Sequence, residues 1–128
     1  MTDVVVLVDD LFFQSKIVET ARHTGVDLKL CSTPDAFIAE IERSAPALAI
    51  VDLNARANPL SAIERLQAAG NQVPVIGYLS HVQTELAERA KAAGCREVMP
   101  RSKFSMNLAS ILINAKTASA KSPGAKPQ

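Results

Sequence analysis

Three aspartates stand at the ends of unbroken apolar runs. Asp9 and Asp10 close Val4-Val5-Val6-Leu7-Val8, and Asp52 closes Leu48-Ala49-Ile50-Val51. Ser80 and His81 follow a third run from Val73 to Leu79, and Arg101 and Lys103 follow the weaker Glu97-Val98-Met99. Carboxylates brought to one place repel each other, and some must take up protons unless a counter-charge is present. A hard divalent cation relieves this, and Mg2+ held by a few carboxylates plus water suits such a set. The plainer alternative is that one aspartate caps the following helix and the others are solvated.

Positioning these residues is the work of the runs themselves. Continuous rather than alternating apolar runs indicate strands covered on both faces, as in a parallel sheet. Val26-Asp27-Leu28-Lys29-Leu30-Cys31 alternates and is expected nearer an edge. Helical spacing fills the gaps. Ile17, Val18 and Ala21 share one face of a helix over Ser15 to His23, with Gly25 as its stop. Thr33-Pro34-Asp35 and Asn58-Pro59 each read as a cap followed by a first-turn proline. A mostly alanine face runs from Val82 to Ala93 before Gly94, and Ser105 is expected to cap a last helix with Leu108, Ile111 and Leu112. Strand and helix alternate about five times through residue 115, which calls for an α/β fold with right-handed crossovers. Ligands of such sheets bind beyond the carboxyl ends of the strands, where the chemistry-bearing residues lie. Residues 1–115 thus form one domain, and 116–128, rich in Ala, Ser, Lys, Pro and Gly, reads as a disordered tail or linker.

Composition narrows the function. Lys and Arg number 14 against 13 Asp and Glu, a formal charge of +1 that argues against a nucleic-acid binder. Trp is absent and aromatic residues make up 4%, which weakens any base-stacking role. Cys31 and Cys95 lack Cys-x-x-Cys spacing and read as small buried apolar residues. Charges or prolines interrupt every apolar run short of a bilayer span, and the acidic Met-Thr-Asp start does not resemble a signal peptide, so a cytoplasmic location is expected.

Taken together, Val6-Leu7-Val8-Asp9-Asp10, Val51-Asp52-Leu53, Pro74-Val75-Ile76 and Ala92-Ala93-Gly94-Cys95 leading to Val98-Met99-Pro100-Arg101 resemble the receiver domain of response regulators. The resemblance covers about residues 4–113 and implies a doubly wound, flavodoxin-like (βα)5 fold, CheY-like, with five parallel strands in the order 2-1-3-4-5. It implies that Asp52 accepts a phosphoryl group from a histidine kinase or phosphotransfer protein. Asp9, Asp10, Asp52 and the main-chain carbonyl of Asn54 would hold Mg2+. Ser80 and Arg101 would contact the phosphoryl oxygens, and the phosphorylated face would bind a downstream protein. Such a domain catalyses only its own phosphorylation and dephosphorylation. Whether helices four and five also form a homodimer face is left open.

Several positions depart from the family pattern. Counting from Pro74, the hydroxyl position falls on Leu79, so Ser80 serves only if the strand carries a bulge or a one-residue slip; otherwise it caps the fourth helix. Arg101-Ser102 replaces the family's lysine and cis-proline, with Lys103 as a less favoured substitute. Val98 stands where the family carries an aromatic switch; Tyr78 and Phe104 are the nearest aromatics and read first as core. Phe12 and Phe13 form either an apolar lip for a partner or packing under the first helix. His81 reads as a solvent-facing first-turn residue, and His23 suits a helix C-terminus. The second reading is accordingly a pseudo-receiver that has the fold but signals by protein contact alone. Nucleotide-binding relatives of this architecture need a glycine-rich first turn, and Asp9-Asp10-Leu11-Phe12-Phe13 has no glycine. An aspartate-nucleophile phosphohydrolase would space its first-strand pair by one residue, and Asp9-Asp10 are adjacent.

Overall fold

The computed structural model describes residues 2–56, 58–80 and 84–120. Its order is β1 (Val4–Leu7), α1 (Leu11–Thr24), β2 (Leu28–Cys31), α2 (Pro34–Ser44), β3 (Leu48–Asp52), α3 (Pro59–Ala68), β4 (Val75–Leu79), α4 (Thr84–Ala93), β5 (Glu97–Pro100) and α5 (Arg101–Ala120). The strands form one parallel sheet in the order β2-β1-β3-β4-β5, the expected doubly wound arrangement. The alternating segment, β2, is an edge strand, and the continuous runs β1, β3 and β4 are interior.

Alternation of side chains along each strand splits the core into two layers. Val5, Leu7, Ala49, Val51, Val75 and Leu79 pack with Phe37, Ile41, Ile63, Leu66 and Ala90 of α2, α3 and α4. Val4, Val6, Leu48, Ile50, Ile76 and Tyr78 pack on the other face with Phe13, Ile17, Phe104, Leu108 and Leu112 of α1 and α5. Both faces of the sheet are therefore covered by apolar side chains.

The helix boundaries follow their caps. Thr33 caps α2 by accepting from the Ala36 N–H, as its position before proline predicts. Gly25 ends α1 in the left-handed conformation at φ 72°, where a Cβ would be strained, and Lys116 of α5 donates to its carbonyl at 2.7 Å. Four boundaries differ from the sequence reading. α1 starts at Leu11 rather than Ser15, because the Asp10 side chain accepts from the N–H groups of Phe12 and Phe13. Asn58 precedes α3 with φ 57° and makes no side-chain cap bond. α5 begins directly after β5 at Arg101 instead of after a Ser105 cap, and it runs past residue 115 to Ala120. The remainder of the expected tail lies outside the described residues, as do His81 and the expected start of the fourth helix at Val82. No helix among the described residues is long and apolar enough to cross a membrane.

Candidate functional site

Asp52 is the last residue of β3, the middle strand, and its side chain has the parity of Leu48 and Ile50, facing α1 and α5. It is 2% exposed, although it is ionisable. One carboxylate oxygen accepts the Asn54 N–H at 2.9 Å. Burial pushes its pKa above the ordinary carboxylate value. The Asn54 hydrogen bond and the positive charge of Arg101 oppose that rise, while the negative charges of Asp9 and Asp10 add to it. The carboxyl is thus held in a state that favours gaining positive charge or losing its own negative charge.

Asp9 and Asp10 lie on the connection from β1 to α1, at the same rim. Asp9 Oδ2 accepts the Arg56 N–H at 3.0 Å, and the Arg56 Nε lies 3.9 Å away. Asp10 Oδ1 is the α1 cap, and its Oδ2 lies 3.8 Å from Arg101 Nη2. Arg101 itself is placed by the absence of a loop between β5 and α5, which sets it in the first turn over the rim. Its guanidinium carbon sits 5.2 Å from the Phe13 ring centroid, a cation–π contact. Asn54 joins β3 to the end of β4, since its Oδ1 accepts the Ser80 N–H at 2.5 Å.

The structure therefore brings Asp9, Asp10, Asp52 and Arg101 into one electrostatic neighbourhood. The convergence of carboxylates expected from the sequence is only partial. Each of the three is turned to a protein donor, and among the described residues no group of three or more His, Cys, Asp or Glu side chains is arranged to hold a metal ion. The donor chemistry nevertheless suits a hard cation, because all the candidate ligands are oxygens and the central one is buried and burdened by negative neighbours.

Ser80 lies just past the end of β4. Pairing of β4 with β3 and with β5 keeps one constant offset along its length, so the bulge or slip it needed is not there. Ser80 is an exposed residue beyond the strand, and Leu79, at the expected hydroxyl position, is buried against the α2–α4 layer. The aromatic questions also divide. Val98 packs against the α2–α4 layer; Tyr78 and Phe104 are core, stacked with centroids 4.5 Å apart. Phe13 is buried against both rings, whereas Phe12 and Leu11 are 84% and 77% exposed. Lys103 is exposed, and His23, also exposed, bonds Glu19 at 2.9 Å near the end of α1. Both cysteines are buried free thiols, and burial pushes the Cys95 pKa up to about 11, far from a reactive thiolate.

Sequence reasoning missed two features. It did not foresee Arg56 at Asp9, which lies 47 residues away in the chain. It also did not place Tyr78 beside Asp52; the β3–β4 register makes them direct partners, and the equal parity of Ile50 and Ile76 would have revealed it once that register was known.

Neither a protein-family model nor a curated protein sequence matches this chain. Solved structures do. A response regulator from Hahella chejuensis superposes with a TM-score of 0.77 at 17% identity, over 90% of this chain and 95% of that one. The signal receiver domain of the response regulator NarL from Mycobacterium tuberculosis gives 0.76 at 16% identity, over 90% and 96%. The receiver domain of NtrX from Brucella abortus gives 0.72 at 18% identity, over 88% and 98%. The chain therefore has the fold of the response regulator receiver domains, five parallel strands in the order 2-1-3-4-5 with helices on both faces.

Proposed function

We propose that this chain is a phosphoryl-accepting switch of a two-component phosphorelay, with Asp52 as the acceptor. The observation that carries the reading is a carboxylate buried at the end of the middle strand, its pKa raised, inside the fold of receiver domains. An oxygen of Asp52 attacks the phosphorus of a phosphohistidine on a histidine kinase or phosphotransfer protein. A P–O bond forms as the P–N bond breaks, and the imidazole leaves with its electron pair. Arg101 supplies positive charge beside the acceptor and grips an oxygen of the transferred group. Asp9, Asp10, Asp52 and the Asn54 carbonyl would hold Mg2+, which when bound neutralises charge on the transferring phosphoryl. Converting the Asp52 carboxylate to an acyl phosphate adds negative charge at the rim and changes what the neighbouring surface binds, which is the output: a protein–protein contact. Leu11 and Phe12, exposed in the first turn of α1 directly after Asp9 and Asp10, suit docking of the phosphodonor protein. Met106 and Ile113, exposed one above the other on α5, suit a second contact, homodimerisation included.

The test is incubation with acetyl phosphate and Mg2+, followed by detection of acid-labile phosphate by mass spectrometry. The expected result is one label on the wild type and none on Asp52→Asn. Equal labelling of both would assign the wrong nucleophile. A specific observation favours a second reading, the pseudo-receiver: Leu79 is buried where a hydroxyl was expected, and Asp9 and Asp10 are already engaged by Arg56, α1 and Arg101. An unlabelled wild type whose melting temperature ignores Mg2+ and beryllium fluoride would establish it.

A further inference from the structure

Among the described residues, two buried side-chain polar atoms find no hydrogen-bond partner: the Tyr78 hydroxyl and the Arg101 Nε. Orphaned donors of this kind are uncommon in folded proteins because each forfeits its hydration. Both sit at the same place. Tyr78 is paired directly with Asp52 across β3 and β4, on the same face of the sheet, and adjacent strands lie only about 4.8 Å apart. The charges of Asp52, Arg101, Asp10 and Asp9 all act on the phenol. Its ring cannot swing away, being 0% exposed, stacked on Phe104 at 4.5 Å and against Phe13 at 5.1 Å. Arg101 lies against the same aromatic group, its guanidinium carbon 5.2 Å from the Phe13 ring centroid.

We propose that the Tyr78 hydroxyl and the Arg101 Nε–H are the donors that receive an oxygen of the phosphoryl group on Asp52, with Tyr78 supplying a hydroxyl from the strand position directly opposite Asp52. The inference rests on the phosphoryl-acceptor reading and names its second partner. No proton is transferred: the phenol keeps its hydrogen and donates it. Burial and the neighbouring negative charge of Asp52 hold its pKa well above that of free tyrosine, which keeps it a donor. The tetrahedral oxyanion is the ligand the pair suits, because it offers acceptor oxygens to two buried donors that have none.

The chain has one tyrosine and no tryptophan, so its intrinsic emission reports this phenol alone. Beryllium fluoride with Mg2+ is the probe, applied to the full chain and to Tyr78→Phe, with acetyl phosphate labelling in parallel. Wild-type tyrosine emission should change as the probe saturates. Tyr78→Phe, which keeps the ring stack and removes an unsatisfied group, should melt at the same or a higher temperature without the probe, yet bind it about three- to ten-fold more weakly. Those opposite signs separate a phosphoryl contact from a merely structural tyrosine. If the wild type is labelled but its emission stays constant, or if Tyr78→Phe binds the probe equally well, the donor pair is wrong and the acceptor reading stands. A trapped water satisfying the phenol would give that outcome. If the wild type neither labels nor binds the probe, both fall.

Discussion

Glu40 and Asp52 are the two buried acidic residues among the described ones, and they are resolved in opposite ways. Glu40, on α2, bonds Arg43 one turn later at 2.6 Å, and this partner holds its pKa below the ordinary value despite burial. Asp52 has a backbone N–H and a more distant cation, and burial wins, with two further aspartates adding to the rise. One carboxylate comes with its counter-charge; the other is left short of positive charge. The contrast teaches where to look for function in a small domain: at the buried charge the fold does not neutralise, since such a group is poised to accept a cation or a covalent substituent.

The largest effect expected is at Asp52 itself. Asp52→Asn should abolish acid-labile labelling and raise the melting temperature at neutral pH. The stability gain is about 1.4 kcal/mol for every pKa unit by which folding raises the carboxyl. The pH dependence has a definite sign. A raised folded pKa means that Asp52 contributes stability below the ordinary carboxylate range and loses it as pH rises through its own pKa. Asp52→Asn should therefore gain most over the wild type above that pKa, and thermal unfolding across pH checks it. A difference that grew on acidification would break the contrast.

Next comes Arg101. Arg101→Met removes a cation that lowers the Asp52 pKa, so the carboxyl should titrate at still higher pH, followed by its carbon-13 shift. Loss of the partly exposed Asp10 contact should cost no more than about 1 kcal/mol. Glu40→Gln should have the smaller, mirrored effect. Its lowered pKa contributes stability above the ordinary range that is lost as pH falls through it. The variant should thus melt below the wild type at pH 7, converge with it in acid, and leave labelling of Asp52 unchanged. Smallest for the fold is Phe12→Ala, within about 0.5 kcal/mol because the ring is exposed. It should slow transfer from a phosphohistidine protein while sparing labelling by acetyl phosphate; equal slowing of both would remove Phe12 from donor docking.

Much of the architecture was legible beforehand. The unbroken runs at β1, β3 and β4 and the alternating β2 announced interior and edge strands, because burial on one face or two is written directly into hydrophobic period. The strand order came from the family resemblance, and the strand pairings agree with it. Helix ends were harder. Asp10 caps α1, the alternative its residue type already allowed, so the helix starts at Leu11, and α5 started four residues before Ser105, because β5 hands the chain to α5 without a loop. At the end of β4 one residue of register decides which side chain meets Asp52: Leu79 turns to the α2–α4 layer and Tyr78 to the opposite one.

What the linear chain determined on its own was which residue types reach the carboxyl rim: Asp9, Asp10, Asp52 and Arg101, each tied to the end of its strand by apolar patterning. Only the folded arrangement decided which of them are satisfied. Hydrogen bonding and burial depend on residues distant in sequence: Arg56 reaching Asp9, Phe13 lying beneath Arg101, and Tyr78 falling opposite Asp52. Periodicity carries the side of a strand on which a residue stands. The identity of its neighbour across the sheet comes from register, which is a property of two strands and of neither alone.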